Sequence, residues 1–169
     1  MKHIRKKIMT ALLALYLGMS GCLFNAKEKT VGEEIRMDDI TEFYYTTDAS
    51  TNPPHFQRYR FYVEDGKHAF YHEKRQGDHW PLTESDVTVC GTLDISMEEW
   101  LVFYECLEDG IVTQREENLE AGNSGPWLYL YWKNDASSWQ VFSFSSYVKQ
   151  QEFVSYCENL RDRQMNQTE

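Results

Sequence analysis

The feature that most constrains the fold of this chain is a tight turn, Glu64-Asp65-Gly66, between two runs of alternating side chains. The runs cover residues 56–63 and 68–75. An Asp-Gly pair between two alternating runs is a strong β-hairpin signal, because a two-residue turn needs positive φ angles that these residues accept. The sequence therefore predicts a long antiparallel hairpin here.

Four further segments have the composition of strands. Residues 40–47 are rich in β-branched and aromatic side chains and are followed by turn-forming residues. Residues 87–93 alternate apolar with polar side chains. Residues 127–133 and 139–145 are predicted to form a second hairpin across a short connection. With the first hairpin, these segments predict a sheet of about five to six strands.

Two helices are predicted, one between the hairpins and one near the end of the chain. Ser96 precedes Glu99 by three residues, as in a capping box, and apolar residues then recur at helical spacing up to Gly110, which is expected to end the helix with positive φ. The last helix covers about residues 148–163. This order predicts an α+β fold, an antiparallel sheet with both helices packed on one face.

The N-terminal segment has the features of an export signal. Basic residues precede an apolar run from Ile8 to Leu17, and small residues come just before Cys22. The apolar run is about half the 20 residues that a transmembrane helix needs, so no membrane span is expected here. The sequence Met19-Ser20-Gly21-Cys22 resembles the lipobox of bacterial lipoproteins, which usually has leucine at the position of Met19. The alternative is an ordinary secretory signal that contains Gly-Cys by chance.

The lipobox resemblance implies a cell-membrane location on the extracytoplasmic face. Residues 1–21 would be removed as a signal peptide, and Cys22 would carry a diacylglyceryl group whose two chains give firm membrane retention. Residues 22–38 mix charges with isolated apolar residues and are expected to form a flexible tether. Residues 39–169 are expected to form a single α+β domain with a frayed C-terminal tail.

A second resemblance covers residues 40–163. In the order of their elements, and in the phrases Ile40-Thr-Glu-Phe-Tyr-Tyr and Ser124-Gly-Pro-Trp, they are similar to a set of small lipoproteins of Gram-positive bacteria. No activity is assigned to that set. The resemblance therefore implies a fold and a cellular location, and no biochemical activity.

Charge excludes one class of partner. The sequence has 27 acidic and 17 basic residues, and loss of residues 1–21 removes four basic residues and no acidic ones. The remaining 13 basic residues against 27 acidic ones give a net charge of −14. Such a surface repels phosphate backbones, so no nucleic-acid partner is expected.

Cysteine and histidine patterns leave the site chemistry open. Besides Cys22 there are three cysteines, and one disulfide among them would form in one of three ways and leave a free thiol. They are Cys90, Cys106 and Cys157.

Four histidines crowd together: His55, His68, His72 and His79. His68 and His72 would lie about 13 Å apart on a strand, too far for one metal ion. A metal site would need another histidine to fold back beside Glu73; solvated histidines at the sheet edge are the preferred interpretation.

No catalytic pattern is found in the sequence. Ser124 lies between two glycines, but Pro126 stands where the nucleophile-elbow motif needs glycine, so a turn is the better interpretation. We therefore expect neither an enzyme nor a cofactor or metal site.

The remaining candidate site is aromatic. Trp127, Tyr129 and Tyr131 alternate with other bulky residues, so both faces of this strand carry large side chains. If the helices cover only one face, a ring-lined surface stays open, and exposed patches of this kind often bind a partner. The sequence thus favours a membrane-anchored binding module for a glycan or an envelope protein. The alternatives are a structural envelope-associated lipoprotein with a protein partner, and rings that belong to the core.

Overall fold

The computed structural model describes residues 28–114, 127–133 and 140–167. Within these segments the strands are β1 (Glu28–Thr30), β2 (Ile40–Thr51), β3 (Pro54–Glu64), β4 (Lys67–Gln76), β5 (Val87–Ile95), β6 (Ile111–Gln114), β7 (Trp127–Trp132) and β8 (Gln140–Ser143). The helices are α1 (Met97–Leu107) and α2 (Tyr147–Asn166), and short 3-10 turns precede β2 and β5.

All eight described strands belong to one antiparallel sheet, in the order β1-β6-β8-β7-β2-β3-β4-β5. The α+β class and the antiparallel sheet are therefore confirmed. The sheet has more strands than the five to six expected, because β1 and β6 were not predicted. Among the described helices, none is both long and apolar enough to cross a bilayer.

The predicted first hairpin is confirmed as the pair β3 and β4. Asp65 and Gly66 have φ angles of 50° and 76°, the sign that a type I′ turn requires at both central residues. The turn sets the register of the pair, in which Phe61 stands opposite Phe70 and Arg60 stands opposite Tyr71. The local turn chemistry therefore decides which side chains meet across the hairpin.

Both helices pack on one face of the sheet. Phe43 and Phe61 are cross-strand neighbours on β2 and β3, and both are fully buried. The Phe103 ring of α1 stacks on Phe61 with centroids 4.2 Å apart, and the Phe153 ring of α2 meets Phe43 edge-on at 5.3 Å. The core is therefore a layer of aromatic rings between the sheet and the helix pair.

The ends of α1 follow the expected chemistry at one end and depart from it at the other. The Ser96 hydroxyl accepts the Glu99 N–H at 3.2 Å, and the Glu99 carboxylate accepts the Ser96 N–H at 2.7 Å, so the capping box is confirmed. The positive φ expected at Gly110 belongs instead to Asp109, at 62°. Glycine is needed next to it because a Cβ on Gly110 would lie 2.4 Å from the Phe142 ring.

The first described residues belong to the domain, which differs from the expected tether over residues 28–38. β1 pairs with β6, and Val31 and Ile35, which follow β1, are fully buried in the core. A turn between them, with Gly32 at a φ of 99°, brings both apolar side chains inward. The domain therefore includes Glu28 onward, and residues 22–27 lie outside the described residues with the expected signal peptide.

The three cysteines of the described segments are free. Cys106 and Cys157 are buried between the helices and the sheet, and Cys90 is exposed on β5. Burial raises the pKa of the Cys106 thiol to about 11 and the pKa of the Cys157 thiol well above its usual value. Both buried thiols therefore stay protonated at neutral pH and behave as small hydrophobic side chains.

Candidate functional site

The face of the sheet opposite the helices, called the open face here, combines arginines with aromatic rings. No helix of the described segments lies on it. Its members alternate with the core residues along β2, β3, β4 and β7, as the strand register shows. They are Glu42, Tyr44, Thr46, Phe56, Arg58, Arg60, Tyr62, Tyr71, Glu73, Arg75, Trp127, Tyr129 and Tyr131.

The three predicted rings of β7 all lie on the open face. Trp127, Tyr129 and Tyr131 are each half-buried, while Leu130 between them is fully buried on the helix side. The alternation that the sequence predicted for this strand is therefore confirmed. Tyr131 meets the Tyr44 ring of β2 edge-on, with centroids 6.1 Å apart. This contact joins the predicted rings to the arginine-bearing strands beside them.

Two arginines of β3 pack against the rings of the open face. The guanidinium carbons of Arg58 and Arg60 lie 5.7 and 5.6 Å from the Tyr44 ring centroid. Arg58 also lies 4.8 Å from Phe56, and Arg60 lies 4.3 Å from Tyr62. Each distance is within the range of a cation–π contact. Tyr44, Arg58, Arg60 and Tyr62 are called the arginine–tyrosine cluster below.

Glu73 is a carboxylate buried under the open face, and its side chain is only 2% exposed. It accepts two hydrogen bonds from Arg75, at 3.1 and 2.9 Å, one from the Tyr71 hydroxyl at 3.1 Å, and a longer one from Arg58 at 3.4 Å. Arg75 also donates to Glu84 at 2.8 Å. Burial and the Glu73 charge raise the pKa of Tyr71, so its hydroxyl remains a donor.

Arg60 has its own carboxylate on the neighbouring strand. Its Nε donates to Glu42, which also accepts a hydrogen bond from the Tyr44 hydroxyl at 2.7 Å. Burial and the Glu42 contacts raise the pKa of Tyr44 to about 12. The hydroxyl is therefore protonated at neutral pH and keeps the Glu42 carboxylate in place beside Arg60.

The loop between β4 and β5 covers one end of the open face. The Trp80 ring of this loop lies 6.2 Å from Trp127, and Leu82 is buried. Phe56 and Thr46 at this end are buried as well. The accessible part of the open face is therefore the other end, where Tyr44, Arg60, Tyr62 and Tyr71 are half-buried. Arg58, between the two ends, is also half-buried.

The four histidines that raised a metal hypothesis are spread over different surroundings. His72 is fully buried on the helix side and stacks on Tyr59 at 5.2 Å, which differs from the solvated position expected for it. His68 stacks on Trp100 at 4.5 Å, also on the helix side. The described residues contain no group of three or more histidine, cysteine or acidic side chains placed to hold a metal ion.

A pocket of about 320 Å³ lies away from the open face, lined by residues that include Met37, His68 and Lys133. The Lys133 amine already donates to the backbone carbonyl of Asp38 at 2.6 Å, and His68 is stacked on a tryptophan. Lys133 and His68 therefore already have interaction partners within the domain. Ser124 and Cys22, singled out in the sequence, lie outside the described residues.

The arginine–tyrosine cluster was missed in the sequence, although a signal for it exists. The residues Phe56, Arg58, Arg60 and Tyr62 occupy alternate positions of β3, so one face of this strand was readable as arginines between rings. The carboxylates that pair with the two arginines, Glu42 and Glu73, could not be predicted from this strand, because they lie on neighbouring strands. Comparison of the chain with protein-family models, curated proteins and solved structures found no match.

Proposed function

We propose that this protein is a membrane-anchored extracytoplasmic lipoprotein whose domain binds a partner through its open face. The observation that carries the proposal is the arginine–tyrosine cluster. Its side chains are partly exposed, and no described helix covers the sheet there. Tyrosine, tryptophan and arginine are the residue types enriched at the energetic centres of protein interfaces. The domain then acts as a binding module, without catalysis.

The lipid anchor of the proposal would hold the domain close to the membrane. Five residues lie between Cys22 and Glu28, and the six residue steps span at most about 20 Å in an extended chain. The arginine-bearing strand β3 is five strands from β1 in the sheet. At about 4.8 Å per strand, this places the cluster about 24 Å farther along the sheet. The binding surface would therefore lie away from the tethered edge of the sheet.

Replacing Cys22 with serine tests the anchor. We expect the variant to be lost from the membrane fraction and recovered in the soluble fraction, because the acceptor of the lipid is gone. Cell fractionation and intact-protein mass spectrometry measure the result. A Cys90→Ser variant is the matched control and should stay in the membrane fraction. Unchanged membrane retention of Cys22→Ser, with no lipid mass on the wild-type protein, would contradict the anchor.

A paired-variant capture experiment tests the binding surface. The open-face variant combines Arg60→Gln with Tyr62→Ser, and the control combines Arg163→Gln with Tyr147→Ser. The control is closely matched, because Arg163 also pairs with a glutamate, Glu99, and Tyr147 is an exposed tyrosine. Full-length proteins in detergent are incubated with bacterial envelope proteins and with cell-wall glycans.

We expect the wild-type protein and the control variant to retain the same partner and the open-face variant to lose it. Thermal unfolding of all three proteins checks that they are folded. Equal retention by both variants would show that the open face is not the binding surface.

A further inference from the structure

Arg58 has the longest carboxylate contact among Arg58, Arg60 and Arg75 of the open face. Its nearest carboxylate, Glu73, already accepts two hydrogen bonds from Arg75 and one from Tyr71, which leaves Arg58 a contact of 3.4 Å. Burial lowers the pKa of Arg58, and the Arg75 charge adds to this while Glu73 opposes it. Arg75 has Glu84 as a second carboxylate at 2.8 Å, so the charges are balanced in number. A carboxylate from a ligand would give Arg58 the short charge-assisted contact that it lacks.

The cluster also has unused hydrogen-bond donors. Arg58 donates through Nε to Thr46 and through Nη1 to Glu73, and Arg60 donates through Nε to Glu42. A guanidinium has five N–H groups, and the others have no partner among the described residues. The two side chains are 28% and 36% exposed, so these donors are within reach of a ligand.

The arrangement of the rings argues against a neutral sugar as the ligand. Sugars bind aromatic side chains by stacking on the ring face. In the cluster, Arg58 and Arg60 both contact the Tyr44 ring, and Arg60 contacts Tyr62. The groups presented to a ligand are therefore guanidinium donors. Their planar fork matches a carboxylate, which accepts two parallel N–H bonds.

We propose that the partner at the open face is an acidic segment of another protein, whose carboxylates bind Arg58 and Arg60 beside the Tyr44 ring. This inference rests on the proposed function of the same surface and adds the chemistry of the partner. The formal charge of the chain is −10, so the rest of the surface repels an acidic segment. Charge-assisted hydrogen bonds to Arg58 and Arg60 would therefore set the docking site.

The test uses fluorescein-labelled decaglutamate as the acidic segment and decaglutamine as its neutral match. Binding to the full-length protein is followed by fluorescence anisotropy. At about 150 mM NaCl the Debye length is about 8 Å, so distant acidic residues are screened while contacts at the cluster persist. We expect decaglutamate to bind and decaglutamine to show no binding.

Point variants test whether decaglutamate binds at the arginine–tyrosine cluster. Arg60→Gln should weaken decaglutamate binding about tenfold, the effect of losing one charge-assisted pair. Arg163→Gln removes the same charge from a matched ion pair between α2 and α1 and should leave the affinity within about twofold. Arg60→Lys keeps the charge without the planar fork, so its affinity should fall between those of the wild type and Arg60→Gln. Arg58→Gln provides a second variant if Arg60→Gln does not fold.

Two outcomes would overturn the inference. They are failure of decaglutamate to bind, whether or not inorganic polyphosphate binds in its place, and equal weakening by Arg60→Gln and Arg163→Gln. The proposed function is judged separately, in the capture experiment. If capture depends on the open face but decaglutamate neither binds nor competes, the acidic partner is excluded and the binding surface remains. If capture does not depend on the open face, the proposed function itself fails.

Discussion

Replacing Glu73 by alanine is expected to lower the free energy of unfolding by about 3–5 kcal/mol, the usual cost of removing one partner from a buried ion pair. The Glu73 side chain is 2% exposed and accepts hydrogen bonds from Arg75, Tyr71 and Arg58. Its loss would leave Arg75 buried without its main counter-charge. Urea unfolding followed by tryptophan fluorescence measures the change.

Glu84→Ala is the matched control for this experiment, because Glu84 pairs with the same arginine. Its contact with Arg75 is as short, at 2.8 Å, but its side chain is 87% exposed. An exposed ion pair contributes less than about 1 kcal/mol, so the control should unfold close to the wild-type urea concentration. Equal losses of unfolding free energy for the two substitutions would contradict a stabilising role for the buried Glu73 ion pair.

Acidification is expected to destabilise the protein through His72, by about 2–3 kcal/mol between pH 7 and pH 4. His72 is 0% exposed, and neither ring nitrogen has a hydrogen-bond partner among the described residues. Burial lowers its pKa to about 4, and the charges of Lys74 and Arg161 add to the shift. The ring is therefore neutral in the folded protein at neutral pH.

The sign of the effect follows from the two protonation states. An unfolded histidine has a pKa of about 6.5, so below this pH the unfolded chain binds a proton that folded His72 does not bind. The stability contributed by the neutral ring is complete above about pH 6.5 and is lost as the pH falls toward 4. Nuclear magnetic resonance titration of the ring and urea unfolding at several pH values measure it directly.

His72→Leu isolates this contribution from the other groups that titrate in acid. The variant keeps a side chain of similar size against Tyr59, and it has no ring to protonate. Its unfolding free energy should therefore fall less than that of the wild type between pH 7 and pH 4. Parallel pH profiles for the two proteins, or a titration of the His72 ring near pH 6.5, would contradict a neutral buried ring.

Elements with local signals were predictable from the sequence. The turn at Asp65 and Gly66 requires an unusual backbone conformation that few residue types accept, and the box formed by Ser96 and Glu99 satisfies backbone donors within one turn of helix. The alternation along β7 depends only on neighbouring residues. These signals are local, so they are complete in short stretches of sequence.

Strands β1 and β6 could not be predicted in the same way. They are three and four residues long, and each is a strand because of its partner. Glu28 pairs with Thr113, far away in the sequence. Segments of three or four residues are too short to show a recognisable alternation, so only their pairing with distant strands makes them part of the sheet. The tether prediction failed over residues 28–38 for the same reason.

The candidate site was predictable in part. The sequence identified Trp127, Tyr129 and Tyr131 as members of one face, and this placement is confirmed. The arginine–tyrosine cluster depends on pairs that are distant in the sequence, such as Arg58 with Glu73 and Arg60 with Glu42. These pairs meet only when β2, β3 and β4 lie side by side in one register. A single-residue shift of the register would separate them.

The sequence by itself determined the types of the main elements, the acidic charge and the alternation of side chains along the longer strands. It did not determine which set of alternating residues would be covered. Both faces of β3 and β7 are bulky and aromatic, so hydrophobicity alone did not distinguish them. The docking of α1 and α2 decided it, because the rings of Phe103 and Phe153 pack against Phe43 and Phe61. On the opposite face Arg58 and Arg60 stay partly exposed, since a guanidinium is costly to bury without a close counter-charge. Arg75 is buried there beside the carboxylate of Glu73.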